Sequence, residues 1–241
     1  ISHVGPKYKA KKFIAYFLYF KYNYMSFSRF EYCVKEACGH PDIVGLAVST
    51  RPDCIHESYL EVLREAQGKY GTNITIELGL QSVNPHTLLK IGRCHTVAEF
   101  IDAALQIGRY HFDLCTHIIA DLPWDDCIDL EEAAKLVSVL PVTEIKIHSL
   151  YIIKGTKLAK MYEKGDIKLL PPEEYAERVV LILSMLRPDI VVQRIVGRAS
   201  ANTLSVNGGR PWWEVKEYIE KLMRNRHIQQ GSACNYLHGA A

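Results

Sequence analysis

Six short apolar runs, rich in β-branched and aromatic residues, recur along the chain at residues 13–20, 43–48, 74–80, 114–119, 145–153 and 190–195. They are nearly continuous instead of alternating, the pattern of strands covered on both faces. Between them lie amphipathic stretches with helix-start signals. Ser28 with Glu31, Thr96 with Glu99 and Asp129 with Glu132 each set an acid three residues after a capping side chain. After Thr96 the residues Val97, Phe100, Ile101, Ala104 and Leu105 make one apolar stripe, which Gly108 can end. Pro172, followed by Glu173 and Glu174, suits the first turn of a helix carrying Val179, Val180, Ile182, Leu183 and Leu186.

Strand and helix in alternation imply parallel strands joined by crossovers. The repeat length suits a barrel or partial barrel as well as a doubly wound sheet. No G-x-G-x-x-G follows a strand and no Walker sequence occurs, which takes away the main support for a nucleotide-binding sheet. The expected organisation is one α/β domain over residues 1–206 and a helical extension over 207–241 packed on it. Trp212-Trp213 opens that extension, and Val215, Ile219 and Leu222 continue its apolar face. The doublet reads as docking the helix onto the domain before it reads as a base-stacking platform.

Charge and cysteine content narrow the classes further. Lys and Arg number 29 against 27 Asp and Glu, a formal net charge of +2, so nothing here argues for wholesale binding to nucleic acid. The basic residues Lys216, Lys221, Arg224 and Arg226 share their helix with Glu214, Glu217 and Glu220, which reads as a solvated face. The early apolar run at residues 13–20 is far short of the roughly 20 residues a membrane helix needs, and no secretory signal opens the chain. Seven cysteines stand at 33, 38, 54, 94, 115, 127 and 234, with no C-x-x-C spacing. Scattered thiols of this kind are expected to be reduced, in a cytoplasmic protein, and no metal role is expected of them.

In parallel β/α architectures ligands bind at the carboxyl ends of the strands. Those ends carry Ser49-Thr50-Arg51-Pro52-Asp53, Glu77 with Gly79-Leu80-Gln81-Ser82, His117 with Ala120-Asp121, Lys146 with His148 and Lys154-Gly155-Thr156, and Gln193-Arg194. So many hydrogen-bonding groups suit a polar, partly charged small molecule. Glu77, between Ile76 and Leu78, either points inward or pairs with an outer helix. His148 is either a hydrogen-bonded core histidine or a participant in chemistry. Lys146 on its apolar strand also leaves open a Schiff-base enzyme. Asp125, Asp126 and Asp129 read as a solvated acidic helix start.

The segments Gly45-Leu46-Ala47-Val48-Ser49-Thr50-Arg51-Pro52-Asp53-Cys54, Glu77-Leu78-Gly79-Leu80-Gln81-Ser82 and Lys154-Gly155-Thr156-Lys157-Leu158-Ala159 resemble the radical S-adenosylmethionine enzymes. The YhcC-type family, related to the Elongator catalytic subunit, is the nearest likeness, running from about Lys12 to Gly231. The resemblance implies a partial (β/α)6 TIM-like barrel with a C-terminal helical extension. It implies a [4Fe-4S] cluster that reduces S-adenosylmethionine to a 5′-deoxyadenosyl radical, an oxidoreductase-type chemistry carried by the cofactors.

By the same resemblance Gln81 and Arg93 contact S-adenosylmethionine, Arg93 offering a planar fork to the methionyl carboxylate. His117 is implied at the nucleoside, and Tyr16 and Phe17 near the methionyl amino group. With Ser49, Arg51 and Glu77 of the strand ends they make the expected cofactor-binding set. A reductant such as flavodoxin or ferredoxin is the implied partner, with an open substrate class that includes RNA. The family's C-x-x-x-C-x-x-C motif is absent from these residues, and no metal ligands are expected among them. Because the chain opens on Ile1, the first strand and cluster loop are expected upstream, and these residues alone are expected to be inactive. A degenerate barrel binding RNA or protein without radical chemistry is the alternative. Ala120-Asp121-Leu122-Pro123-Trp124 stands where Gly-Leu-Pro-Gly is usual, and Leu18-Tyr19-Phe20-Lys21-Tyr22 departs from the family's Gln, Thr and Asn pattern.

Overall fold

The structure, a computed structural model, describes residues 1, 4–20, 25–198 and 202–237. In chain order the elements are α1 (Val4–Tyr8), β1 (Phe13–Phe20), α2 (Phe27–Cys38), β2 (Ile43–Thr50), α3 (Glu57–Tyr70), β3 (Asn73–Gln81), α4 (Pro85–Lys90), α5 (Val97–Arg109) and β4 (Asp113–Ile119). Then follow α6 (Cys127–Val139), β5 (Glu144–His148), β6 (Ile152–Ile153), α7 (Lys157–Glu163), α8 (Pro172–Met185), β7 (Val191–Arg194), β8 (Thr203–Ser205) and α9 (Trp212–Asn225). One six-stranded sheet has the order β1-β2-β3-β4-β5-β7, and β6 pairs only with β8. The pairs β1·β2, β2·β3 and β5·β7 are parallel. This is the α/β fold of a partial TIM-like (β/α) barrel with a C-terminal helix.

The described residues fall into two compact units, Ile1–Gly79 with His95–Thr116, and Leu80–Cys94 with His117–Ala241. In the first, Leu46 and Val48 of β2 and Ile74, Ile76 and Leu78 of β3 are buried strand side chains. Helix α5 buries Phe100, Ala103, Ala104 and Ile107, and the capping box of Thr96 and Glu99 forms as its sequence signal requires. In the second, α8 begins at Pro172 and buries Val179, Val180, Ile182 and Leu183. Helix α9 rests on buried Val215 and Ile219, and Arg226 donates to both carboxylate oxygens of Glu177 on α8 at 2.6 and 2.7 Å.

Several expectations are corrected. Residues 145–153 are not one strand: β5 stops at His148, and β6 turns to pair antiparallel with β8. Its residues are apolar for another reason. Ile152 is buried with Leu122, Leu150, Ala159 and Ile167 in a separate cluster. Helix α2 is capped by Ser26 and not Ser28, and α6 by Asp126 with Asp129 instead of Asp129 with Glu132. Gly108 lies inside α5, which runs on to Arg109. The tryptophan doublet divides: Trp213 is 54% exposed, Trp212 is half-buried, and the fully buried residues of α9 are Val215 and Ile219. Positions 21–22 of the divergent segment lie outside the described residues. All seven cysteines are free thiols.

Candidate functional site

In the first unit, parallel register sets Ser49 of β2 opposite Glu77 of β3, with Tyr16 of β1 opposite Ala47. Opposed residues of parallel strands share a face, as do positions two apart on one strand, so Tyr16, Ser49 and Glu77 point the same way. The Tyr16 hydroxyl donates to Glu77 Oε2 and also bonds the Ser49 side chain. Glu77 is only 3% exposed. A carboxylate so withdrawn from water needs partners, and Tyr16 supplies one. Burial, then the hydrogen bond and charge of Glu77, hold the Tyr16 phenol well above its usual range. Three of the expected residues are thus one cluster, and Glu77 points to its neighbours' side and not to an outer helix. Phe17 is half-buried on β1, while Arg51, just past β2, is held by a two-pronged ion pair to Asp53.

The second unit holds Gln81, Arg93 and His117. Gln81 ends β3 with a φ of +69°, and the Ser82 N–H donates to the Leu80 carbonyl at 2.9 Å across it. That i to i+2 bond about a positive φ is a γ-turn of the rarer, strained kind. A glutamine has no lack of a Cβ to ease it, so the turn stores strain at a strand end. Arg93 follows α4; its N–H donates to the Leu88 carbonyl at 2.9 Å, and its Nε is withdrawn from solvent. His117 of β4 and His148 of β5 meet, His117 Nδ1 lying 3.2 Å from His148 Nε2 with their ring centroids 5.0 Å apart. The structure therefore gives His148 a polar partner on the neighbouring expected site residue.

Asp121 and Asp125 are buried, which their sequence context does not signal. Asp121, at the position of the missing family glycine, is 4% exposed and accepts the Leu150 N–H at 2.6 Å. Burial pushes its carboxyl up to about 7, against the opposing pull of its backbone hydrogen bonds and of Arg178. Asp125 is likewise buried, not solvated; desolvation raises its carboxyl, while the neighbouring Thr87 and Ser82 side chains work against that. Asp126 and Asp129 are the helix start proper. An acidic string gives no sign of which member turns inward.

The donor sets differ in what they can hold. Among the described residues no three of His, Cys, Asp or Glu gather to hold a metal ion, and the cysteines do not fit the thiolate set of an iron–sulfur cluster. Arg93 carries a planar guanidinium fork and Gln81 both donates and accepts, while His117 and His148 turn ring nitrogens toward each other. Among the described residues, no helix is long and apolar enough to cross a membrane.

Residues 142–225 match the Radical_SAM C-terminal domain. The uncharacterized protein YtqA of Bacillus subtilis is 33% identical over 234 residues, spanning 95% of this chain and 71% of YtqA. Protein YhcC of Escherichia coli is 29% identical over 235 residues, spanning 93% of this chain and 72% of YhcC. The solved structure of the archaeal Methanocaldococcus infernus Elp3 with an N-terminus deletion (1–46) superposes with a TM-score of 0.76 at 17% identity. That match covers 95% of this chain and 58% of the Elp3 chain, and at such identity the likeness is one of fold.

Proposed function

The chain belongs to the family of YtqA and YhcC within the radical S-adenosylmethionine superfamily, and from that premise we propose that it binds S-adenosylmethionine. The observation that carries the reading is the γ-turn at Gln81. Strain of this kind is retained where the surroundings over-determine it, and it sits at the carboxyl end of a sheet strand, where this architecture takes its ligands. In this reading Arg93 receives the methionyl carboxylate, Gln81 bonds the polar groups beside it, and His117, held by His148, meets the nucleoside. When bound, S-adenosylmethionine supplies a carbon–sulfur bond weakened by the sulfonium charge.

For the whole protein the reading extends to the superfamily's oxidoreductase-type activity, reductive cleavage of S-adenosylmethionine and hydrogen abstraction from a substrate. The cysteines described above do not fit the cluster that reaction uses, so this chain's residues are assigned binding and orientation only. Calorimetric titration of the protein with S-adenosylmethionine tests the proposal. Arg93→Ala and Gln81→Ala are each expected to weaken binding, Arg93→Ala by about tenfold or more, as loss of a charged hydrogen bond requires. Methionine lacking the nucleoside should bind more weakly than the whole molecule. An absence of binding at millimolar ligand, or variants that bind as the parent does, would overturn the assignment.

A further inference from the structure

A pocket of about 350 Å³ opens beside the end of β7, lined by Tyr151, Arg194, Val196, Arg198, Trp212 and Lys216 among others. The volume falls in the range of small-molecule sites. Its chemistry is lopsided. Among the described residues three cations and two aromatic rings face it, and no carboxylate lines it. Lys216 shares its charge with Glu220 at 2.6 Å. Arg194 and Arg198 have no carboxylate partner among the described residues, in contrast to Arg226, which grips Glu177 with both nitrogens. The Arg198 guanidinium lies 4.7 Å from the Trp212 ring centroid. A solvated surface would interleave acids with these bases, as the outer face of α9 does.

The backbone is shaped around the pocket as well. A Cβ at Gly197 would fall 1.7 Å from the Tyr151 hydroxyl, so only glycine lets that ring lie where it does. Trp212 and Lys216, four apart on α9, project from one side of the helix. Concentrated positive charge selects an anion with several oxygens, for which guanidinium forks are suited. The aromatic rings add a requirement for a planar group, since stacking tolerates any base but rejects a bare anion. S-adenosylmethionine, with its sulfonium and ammonium charges, is the wrong sign for such a field.

We propose that this pocket binds a phosphorylated nucleotide, its phosphate held by Arg194 and Arg198 and its base set against the Trp212 and Tyr151 rings. This supplies a substrate class beyond the S-adenosylmethionine reading and does not depend on it. The nucleotide is either free or part of a single strand, and the pocket's chemistry is the same for both.

The test is titration of the protein, without S-adenosylmethionine, using AMP, UMP, adenosine, pyrophosphate and a short single-stranded oligoribonucleotide. The nucleotides are expected to bind, adenosine and pyrophosphate about tenfold or more weakly, with affinity falling as salt rises. Arg194→Gln with Arg198→Gln should reduce nucleotide binding by at least about tenfold. Trp212→Ala should weaken the nucleotides and leave pyrophosphate unchanged. Both arginines are exposed, and circular dichroism checks that each variant keeps its fold. Tighter binding of the oligonucleotide than of AMP and UMP identifies a strand as the source; the reverse identifies a free nucleotide. Nucleotides that do not bind at millimolar concentration, pyrophosphate that binds as well as AMP, or a double arginine variant that binds as the parent does would each overturn the proposal. Failure of S-adenosylmethionine to bind in a separate titration would leave these results standing.

Discussion

Glu77 shows how a single side chain's role depends on partners that sequence spacing does not reveal. Its alternation with Ile76 and Leu78 places it on one face of a strand, but the hydroxyl that satisfies it comes from Tyr16, two strands away in the sheet order. Removing that hydroxyl in Tyr16→Phe takes one hydrogen bond from a carboxylate with 3% exposure. The expected cost is about 1–3 kcal/mol, read as a lower urea midpoint with an unchanged slope. A midpoint equal to that of the parent would show that Glu77 does not rely on Tyr16. Gln81 was legible as a polar residue at a strand end, and its left-handed backbone was not, because a non-glycine at positive φ leaves no compositional trace. Asp125 was misread for a similar reason. Of the side chains that oppose its desolvation, Ser82 lies beyond two helices in sequence and Thr87 within the first of them, and an acid beside other acids looks solvated until they are found.

At the scale of elements, the sequence signals located helices well and chose badly between overlapping caps. Thr96 with Glu99 had no competitor and formed its box. Around α6 both Asp126-x-x-Asp129 and Asp129-x-x-Glu132 fit the same signature, and only the first is used: the Asp126 side chain accepts from the N–H groups of Ile128 and Asp129. That choice is testable. Asp126→Ala is expected to cost about 1 kcal/mol, the usual value for losing a cap. Glu132→Ala should cost less than about 0.5 kcal/mol, since it forms a solvent-exposed pair with Lys135. Chemical denaturation of the two variants side by side distinguishes them, and a reversed order would return the cap to Asp129. Run 145–153 failed differently. Apolarity reports burial and not the hydrogen-bonding partner, so an uninterrupted run concealed the change from the main sheet at His148 to the β6·β8 pair.

For the molecule as a whole, the recurring alternation of apolar runs and amphipathic helices was enough for the α/β class, since both signals are periodic and local. What it could not convey is the burial of ionisable groups that couples the fold to pH, and Asp121 carries a clear case. Its carboxyl is 4% exposed and pushed up to about 7, chiefly by burial, whereas the unfolded chain releases that proton near 3.8. Between those values the native state binds more protons than the unfolded one, so stability falls as pH rises through this interval. The contribution is fully present below pH 3.8 and is lost by about pH 7. Its full extent is roughly 4 kcal/mol. Asp121→Asn keeps an oxygen to accept the Leu150 N–H and cannot titrate, which isolates the effect from every other acid and histidine. The difference in unfolding free energy, parent minus variant, is expected to decline from pH 4 to 7 and to level off above it. A difference that stays flat across that range would mean that Asp121 is ionised in the native state and that water or Arg178 meets its charge.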